Sequence, residues 1–111
     1  MFEKNLQGAV QVVSCGSPLN SEAIADFNQT FSELLACGQP MTVFDMSGVP
    51  LLDSQGLEAL LDMQERYSRR GVDLKLSGLN PLCTDIVHVT QVDQRLSIFD
   101  KLIDALGSFA K

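Results

Sequence analysis

Apolar residues recur along the whole chain, and their spacing switches between two periods at recognisable punctuation. Residues 2–6 and 10–14 mix apolar and polar side chains on either side of Gln7-Gly8, which predicts a β-hairpin. Cys15-Gly16-Ser17-Pro18-Leu19 then breaks regular structure. Ile24, Phe27, Phe31, Leu34 and Leu35 follow at helical spacing and form one apolar stripe. Asn20 is the expected N-cap of that helix, with Glu22 and Asp26 in its first turns, and Gly38 and Pro40 are expected to end it. Residues 41–46, with Val43 and Phe44 at their centre, read as a buried strand. After a loop at Gly48-Val49-Pro50, a second long helix opens at Asp53-Ser54-Gln55-Gly56 and turns Leu57, Leu60, Leu61 and Tyr67 inward.

On the outer face of that second helix Asp62 and Arg66, and Glu65 and Arg69, are spaced for i,i+4 ion pairs, and Gly71 stops it. Residues 72–77 alternate Val72, Leu74 and Leu76 with Asp73, Lys75 and Ser77, the pattern of a strand with one wetter face. Asn80-Pro81 supplies a cap followed by proline at the first helical position. The short helix behind it, residues 82–89, is rich in β-branched side chains and must rely on packing more than on propensity. A last strand over residues 96–99 precedes a helix capped by Asp100 and running through Leu102, Ile103 and Leu106. The order β-β-α-β-α-β-α-β-α predicts an α/β fold, a mixed sheet packed with about four helices, in one domain over residues 1–111.

Composition narrows the function. With 111 residues, 45% of them hydrophobic, the chain can bury one ordinary core. No apolar run reaches the roughly 18–20 residues of a membrane span, and residues 1–5 show no signal-peptide pattern, so no direct membrane insertion is expected. Fourteen acidic against 8 basic residues give a formal charge of −6, which argues against nucleic acid as a ligand. The cysteines Cys15, Cys37 and Cys83 are odd in number and form no Cys-x-x-Cys pair. Free, mostly buried thiols in the cytoplasm are expected, and no metal site. The lone histidine, His88, has Ile86, Val87 and Val89 around it and is read as structural rather than as a catalytic base. No glycine-rich phosphate loop is present. Catalysis is not indicated, and no cofactor is implied.

The segment Val43-Phe44-Asp45-Met46-Ser47-Gly48-Val49-Pro50-Leu51-Leu52-Asp53-Ser54-Gln55-Gly56-Leu57-Glu58-Ala59-Leu60 is the informative one. A hydrophobic strand, a short loop, and Asp-Ser-x-Gly-Leu opening an amphipathic helix resemble the STAS domain, the fold of bacterial anti-sigma factor antagonists. The resemblance continues through Arg69-Arg70-Gly71-Val72-Asp73-Leu74-Lys75-Leu76 and Asn80-Pro81 to the last helix. It implies that Ser54 is a phosphoacceptor, modified by a serine kinase that is also the anti-sigma factor, and reset by a phosphatase. It further implies partner contacts at Asp53, Gln55, Gly56, Leu57 and Glu58, and at Asn20. Many members carry Gly-x-Leu-Asp after the second strand and a second serine after the first; here the corresponding residues are Gly16-Ser17-Pro18-Leu19-Asn20 and Gln55.

The residues themselves allow a plainer reading, in which Ser54 or Asp53 only caps a helix and Gly56 only permits close packing. Charge speaks for an interaction surface. Between Lys4 and Arg66 there is no basic residue, but there are Glu22, Asp26, Glu33, Asp45, Asp53, Glu58, Asp62 and Glu65. An acidic face on the first two helices suits a basic partner. The resulting expectation is a partner-switching protein that captures the kinase when unmodified, frees a sigma factor, and lets go once Ser54 is phosphorylated. An alternative within the same fold is a STAS accessory subunit of a lipid-transport ABC complex, binding its ATPase without phosphoserine. A receiver-like phosphoaspartate domain is disfavoured by the opening β-β pair and by the lack of an acidic pair after the first strands.

Overall fold

The chain opens with a hairpin because Gly8, at φ +63, takes the first turn position that a side chain would resist. In the computed structural model, which describes residues 2–37 and 41–109, that turn joins β1 (Phe2–Gln7) to β2 (Val10–Cys15) in antiparallel register, Phe2 opposite Cys15 and Gln7 opposite Val10. The chain continues through α1 (Ile24–Ala36), β3 (Thr42–Asp45), α2 (Ser54–Arg69), β4 (Leu74–Ser77) and α3 (Pro81–Val89). A single 3-10 turn (Val92–Gln94), β5 (Ser97–Phe99) and α4 (Leu102–Ser108) complete it. The five strands form one mixed sheet in the order β1-β2-β3-β4-β5, with β2 to β5 parallel.

Each parallel step needs a crossover, and α1, α2 and α3 supply the three. Successive right-handed crossovers that advance in one direction lay their helices on one face. That face is the main core. Val13, Phe44, Leu74 and Leu76 of the sheet meet Phe27, Phe31, Leu60, Met63, Tyr67 and Cys83 of the helices. Phe2, Phe27, Phe31 and Phe44 form an aromatic cluster, with Phe27 and Phe31 ring centroids 4.6 Å apart. Tyr67 is fully buried, and its hydroxyl donates toward the Phe31 carbonyl (3.2 Å) and lies 3.3 Å from Thr42 Oγ1. Burial raises its pKa above the ordinary phenol value, against a smaller lowering by the Thr42 hydrogen bond and Arg66.

The opposite face is covered by α4. Ala105 packs on Val10 and Val43, with Leu102, Leu106 and Phe109 around them. Lys75 emerges on this side, hydrogen-bonded to Ser108 and held over the rings of Phe109 and Phe99. Among the described residues, no helix is long and apolar enough to cross a membrane, and no group of His, Cys, Asp and Glu could hold a metal ion.

The α/β class, the mixed sheet and the four helices match expectation, but several local details differ. Asn20 does not cap α1. Its Oδ1 accepts from Glu22 N (3.1 Å) and its carbonyl from Ala23 N (2.9 Å), which makes a turn, and the helix begins only at Ile24. The expected stop at Gly38 and Pro40 lies outside the described residues. Glu65 and Arg69 pair at 2.7 Å, whereas Asp62 and Arg66 do not, as the small gain of an exposed pair allows. β4 starts at Leu74 rather than Val72, because Val72 N closes the end of α2 on the Tyr67 carbonyl. Asp100 lies one residue too early to cap α4; Lys101 takes the N-cap position without a side-chain bond, and Ile103 faces outward. Cys15 and Cys83 are buried, and Cys37 is exposed.

Candidate functional site

The candidate site lies where two crossovers touch at the carboxyl ends of β2 and β3. Leu19 and Leu52 form an isolated parallel bridge, with Leu19 N on Leu51 O at 2.9 Å and Asp53 N on Leu19 O at 3.4 Å. Both leucines are essentially inaccessible, so this bridge is anchored in the core. It fixes the loop after β2, and with it Asn20, against the first turn of α2.

α2 begins well for a simple reason. Asp53 is extended (φ −99, ψ −177), and its Oδ1 accepts from Gly56 N at 2.9 Å while its carbonyl accepts from Leu57 N at 2.9 Å. The cap is therefore Asp53, and the side chain of Ser54, at the first helical position, is left for other use. Ser54 is exposed, and its hydroxyl forms no hydrogen bond among the described residues. Gln55 and Glu58 are exposed beside it, and Asp53 is half-buried. Together with Ser21, Ile24, Asn28 and Asp62, Gln55 and Glu58 line a shallow open groove between α1 and α2.

Gly56 and Leu57 are buried, and so differ from the other residues singled out from the sequence. A Cβ on Gly56 would lie 2.2 Å from the Leu19 carbonyl oxygen and 2.9 Å from Leu52 Cδ1. The absent side chain thus lets α2 close on the Leu19–Leu52 bridge inside this chain. Gly48 plays a similar part, since a Cβ there would meet the Cys15 carbonyl oxygen at 2.7 Å. The residues brought together on the surface are Asn20, Asp53, Ser54, Gln55 and Glu58.

Sequence reasoning missed the contribution of α3. Asn80 caps that helix as expected, Oδ1 accepting from Cys83 N at 2.8 Å. Its Nδ2 also donates to the carbonyls of Val49 (3.3 Å) and Pro50 (3.2 Å), and the buried Cys83 thiol points at Val49 O. Burial pushes the Cys83 thiol pKa up, keeping it protonated and inert. One asparagine thus ties the start of α3 to the loop that leads into Ser54. An Asn-Pro pair signals the cap, but nothing in the pattern signals the second partner. His88 is exposed and sits 3.2 Å from Asp93, away from this loop.

Comparison with known proteins gives the family. A family model for the STAS domain matches residues 2–105. Among solved structures, a putative anti-sigma factor antagonist from Thermotoga maritima superposes with a TM-score of 0.92 at 22% identity, covering 99% of this chain and 95% of its own. An anti-sigma factor antagonist from Mycobacterium paratuberculosis gives 0.90 at 22% identity, over 100% and 94%. The murine solute carrier 26 family member A9 anion transporter gives 0.73 at 27% identity, over 96% of this chain and 19% of the transporter. No curated protein sequence matches the chain. With nearly the whole sequence inside the family match and the sheet, crossovers and Asp-Ser-x-Gly-Leu turn all present, this chain belongs to the STAS domain family.

Proposed function

We propose that this protein is an anti-sigma factor antagonist that works by partner switching in the cytoplasm, by binding rather than by catalysis. Unmodified, it captures an anti-sigma factor that is also a serine kinase, and a sigma factor is freed. Phosphorylation of Ser54 ends the complex, and a phosphatase restores it. Asp53, Gln55 and Glu58, with Asn20 across the bridge, form the contact surface, while Gly56 and Leu57 set its backbone. The observation that carries this reading is the exposed, unbonded Ser54 hydroxyl at the start of α2, beside a cap already satisfied by Asp53.

The physics of release follows from the neighbours. A phosphoryl group brings about −1.5 to −2 charges at pH 7. Asp53 precedes it and Glu58 stands one turn on, with no Lys or Arg from residue 5 to residue 65. The phosphoryl group brings bulk and tightly held water into the contact, and stripping that water for the partner to seat closely opposes docking. The fold itself is untouched, because the Ser54 hydroxyl makes no internal bond among the described residues. The test is binding of the captured kinase to Ser54→Asp and Ser54→Ala. Loss of binding by Ser54→Asp at unchanged thermal stability supports the switch; wild-type affinity in Ser54→Asp overturns it.

A second reading, service as a subunit or domain of a membrane transporter, is favoured by the likeness to part of a solute carrier. Co-purification of the chain with a membrane complex, and normal function of Ser54→Ala within it, separates that reading from the first.

A further inference from the structure

We infer that the partner-binding face extends beyond α2 onto α3, and that its occupant is a protein surface with an apolar centre and a Lys/Arg rim. This deepens the partner-switching reading and rests on it. The apolar part is visible in the exposure of large side chains. Leu51 is 44% exposed, Leu82 50% and Val89 79%. Leu82 and Val89 are seven residues apart, two turns along one side of α3. Leu51 belongs to the loop before Ser54, and the Asn80 amide holds that loop to the start of α3 through the Pro50 carbonyl. Exposed leucines at these places are not required by the core, which is complete beneath them. Leu51 and Leu82 flank the Asn80–Pro50 link and Val89 continues the strip two turns along α3, whereas the other exposed large apolar residues, Leu6 and Ile103, stand apart on β1 and α4; the first three mark a contact surface.

Charge selects the occupant. Residues 47–65 and 76–94 carry six carboxylates, of which Glu65 pairs with Arg69 and Asp93 faces His88; the cations Arg69 and Arg95 lie together farther along α2, beside Leu61 and Gln64. Asp53 and Glu58 lie on the α2 side and Asp85 on α3, all at least partly accessible. An anionic membrane or a nucleic acid would meet this rim with like charge. So would a second copy of a chain with net charge −6. A partner with apolar side chains at its centre and cations around them satisfies both features.

The experiment uses the full chain and the ATPase it captures from host extract, identified by mass spectrometry and then purified. Binding and melting temperature are measured for wild type, Leu82→Ser/Val89→Ser, Asp85→Arg and Ser54→Asp. The expected result is binding weaker by about tenfold or more in both α3 variants, with melting like wild type, since both substitutions fall on exposed positions. Full binding by both α3 variants, with Ser54→Asp defective, overturns the inference and leaves the switch reading standing. A wild-type dimer that Leu82→Ser/Val89→Ser abolishes makes the occupant a second copy, which also overturns it. If wild type captures no ATPase, the switch reading fails and this inference falls with it.

Discussion

Replacing Gly56 by alanine asks how tightly α2 is pressed on the Leu19–Leu52 bridge. In an ordinary helix interior the change would stabilise by about 1 kcal/mol, because alanine has the better propensity. Here the new methyl would sit 2.2 Å from Leu19 O and 3.1 Å from Leu19 C. That is roughly 1 Å inside normal contact, and the obstacle is backbone, which no rotamer change can move aside. Either α2 lifts or the loop after β2 retreats. Retreat strains the two hydrogen bonds that flank the bridge, Leu19 N to Leu51 O and Asp53 N to Leu19 O, each worth about 1 kcal/mol. It also loosens Leu19 and Leu52, both essentially fully buried, and overpacking of this kind costs about 1–3 kcal/mol. Set against the propensity gain, the net expected loss is about 1–4 kcal/mol, or a fall in Tm of about 5–20 °C for a chain of this size. Urea and thermal unfolding followed by circular dichroism read it directly. Gly107→Ala in α4 is the control, since a Cβ there meets nothing within 4 Å, and it should gain about 0.5–1 kcal/mol. A Gly56→Ala protein as stable as wild type would refute the reasoning and return Gly56 to a purely intermolecular role.

Three further outcomes are expected. Asp53→Ala removes the carboxylate that holds Gly56 N and should cost about 1 kcal/mol in urea titrations, while Asp53→Asn should recover most of it. Tyr67→Phe removes the hydroxyl bonded to Phe31 O and Thr42 and should cost about 0.5–1.5 kcal/mol near neutral pH. Because the folded pKa of Tyr67 is raised above 10.0, the unfolded chain sheds that proton first as pH climbs. Stability is complete below the unfolded value and falls as pH rises through it toward the folded one, so denaturant midpoints above pH 10 should decline less steeply in Tyr67→Phe. Gln91, with φ +62 just after α3, is the described non-glycine residue of positive φ; Gln91→Gly should stabilise by about 0.5–1 kcal/mol in thermal melts, and a loss would contradict the strain.

Much of this architecture is legible in the sequence because its periodicity is strong. The stripe from Ile24 to Leu35, the alternation from Leu74 and the Asn80-Pro81 start are local signals with local causes. The misplacements share another cause, which is long-range. Asn20 looks like a cap, but Leu19 is pinned 33 residues downstream at Leu52, so the chain must turn before α1 can begin. Val72 looks like strand, but its N–H is spent on Tyr67. At the candidate site the Asp-Ser-x-Gly-Leu turn is readable and leaves the cap to Ser54 or Asp53; the Asp53 Oδ1 bond to Gly56 N decides it. That Gly56 serves Leu19, and that Asn80 joins α3 to the loop before Ser54, depend on contacts between crossovers, which no spacing rule encodes.

The strand order of the sheet has a kinetic consequence. Order in space equals order in the chain, so every strand after the first hairpin adds to an open edge and none has to insert between two already paired. The closures needed are those of single crossovers, short in contour compared with folds that return to pair first and last strands. Growth from the N-terminal hairpin outward is therefore available as a folding route during synthesis. On that route the Leu19–Leu52 splice closes as soon as β3 and the start of α2 are in place. The Ser54 turn is then framed before β4 and β5 join, and the α3 flank is fitted afterwards.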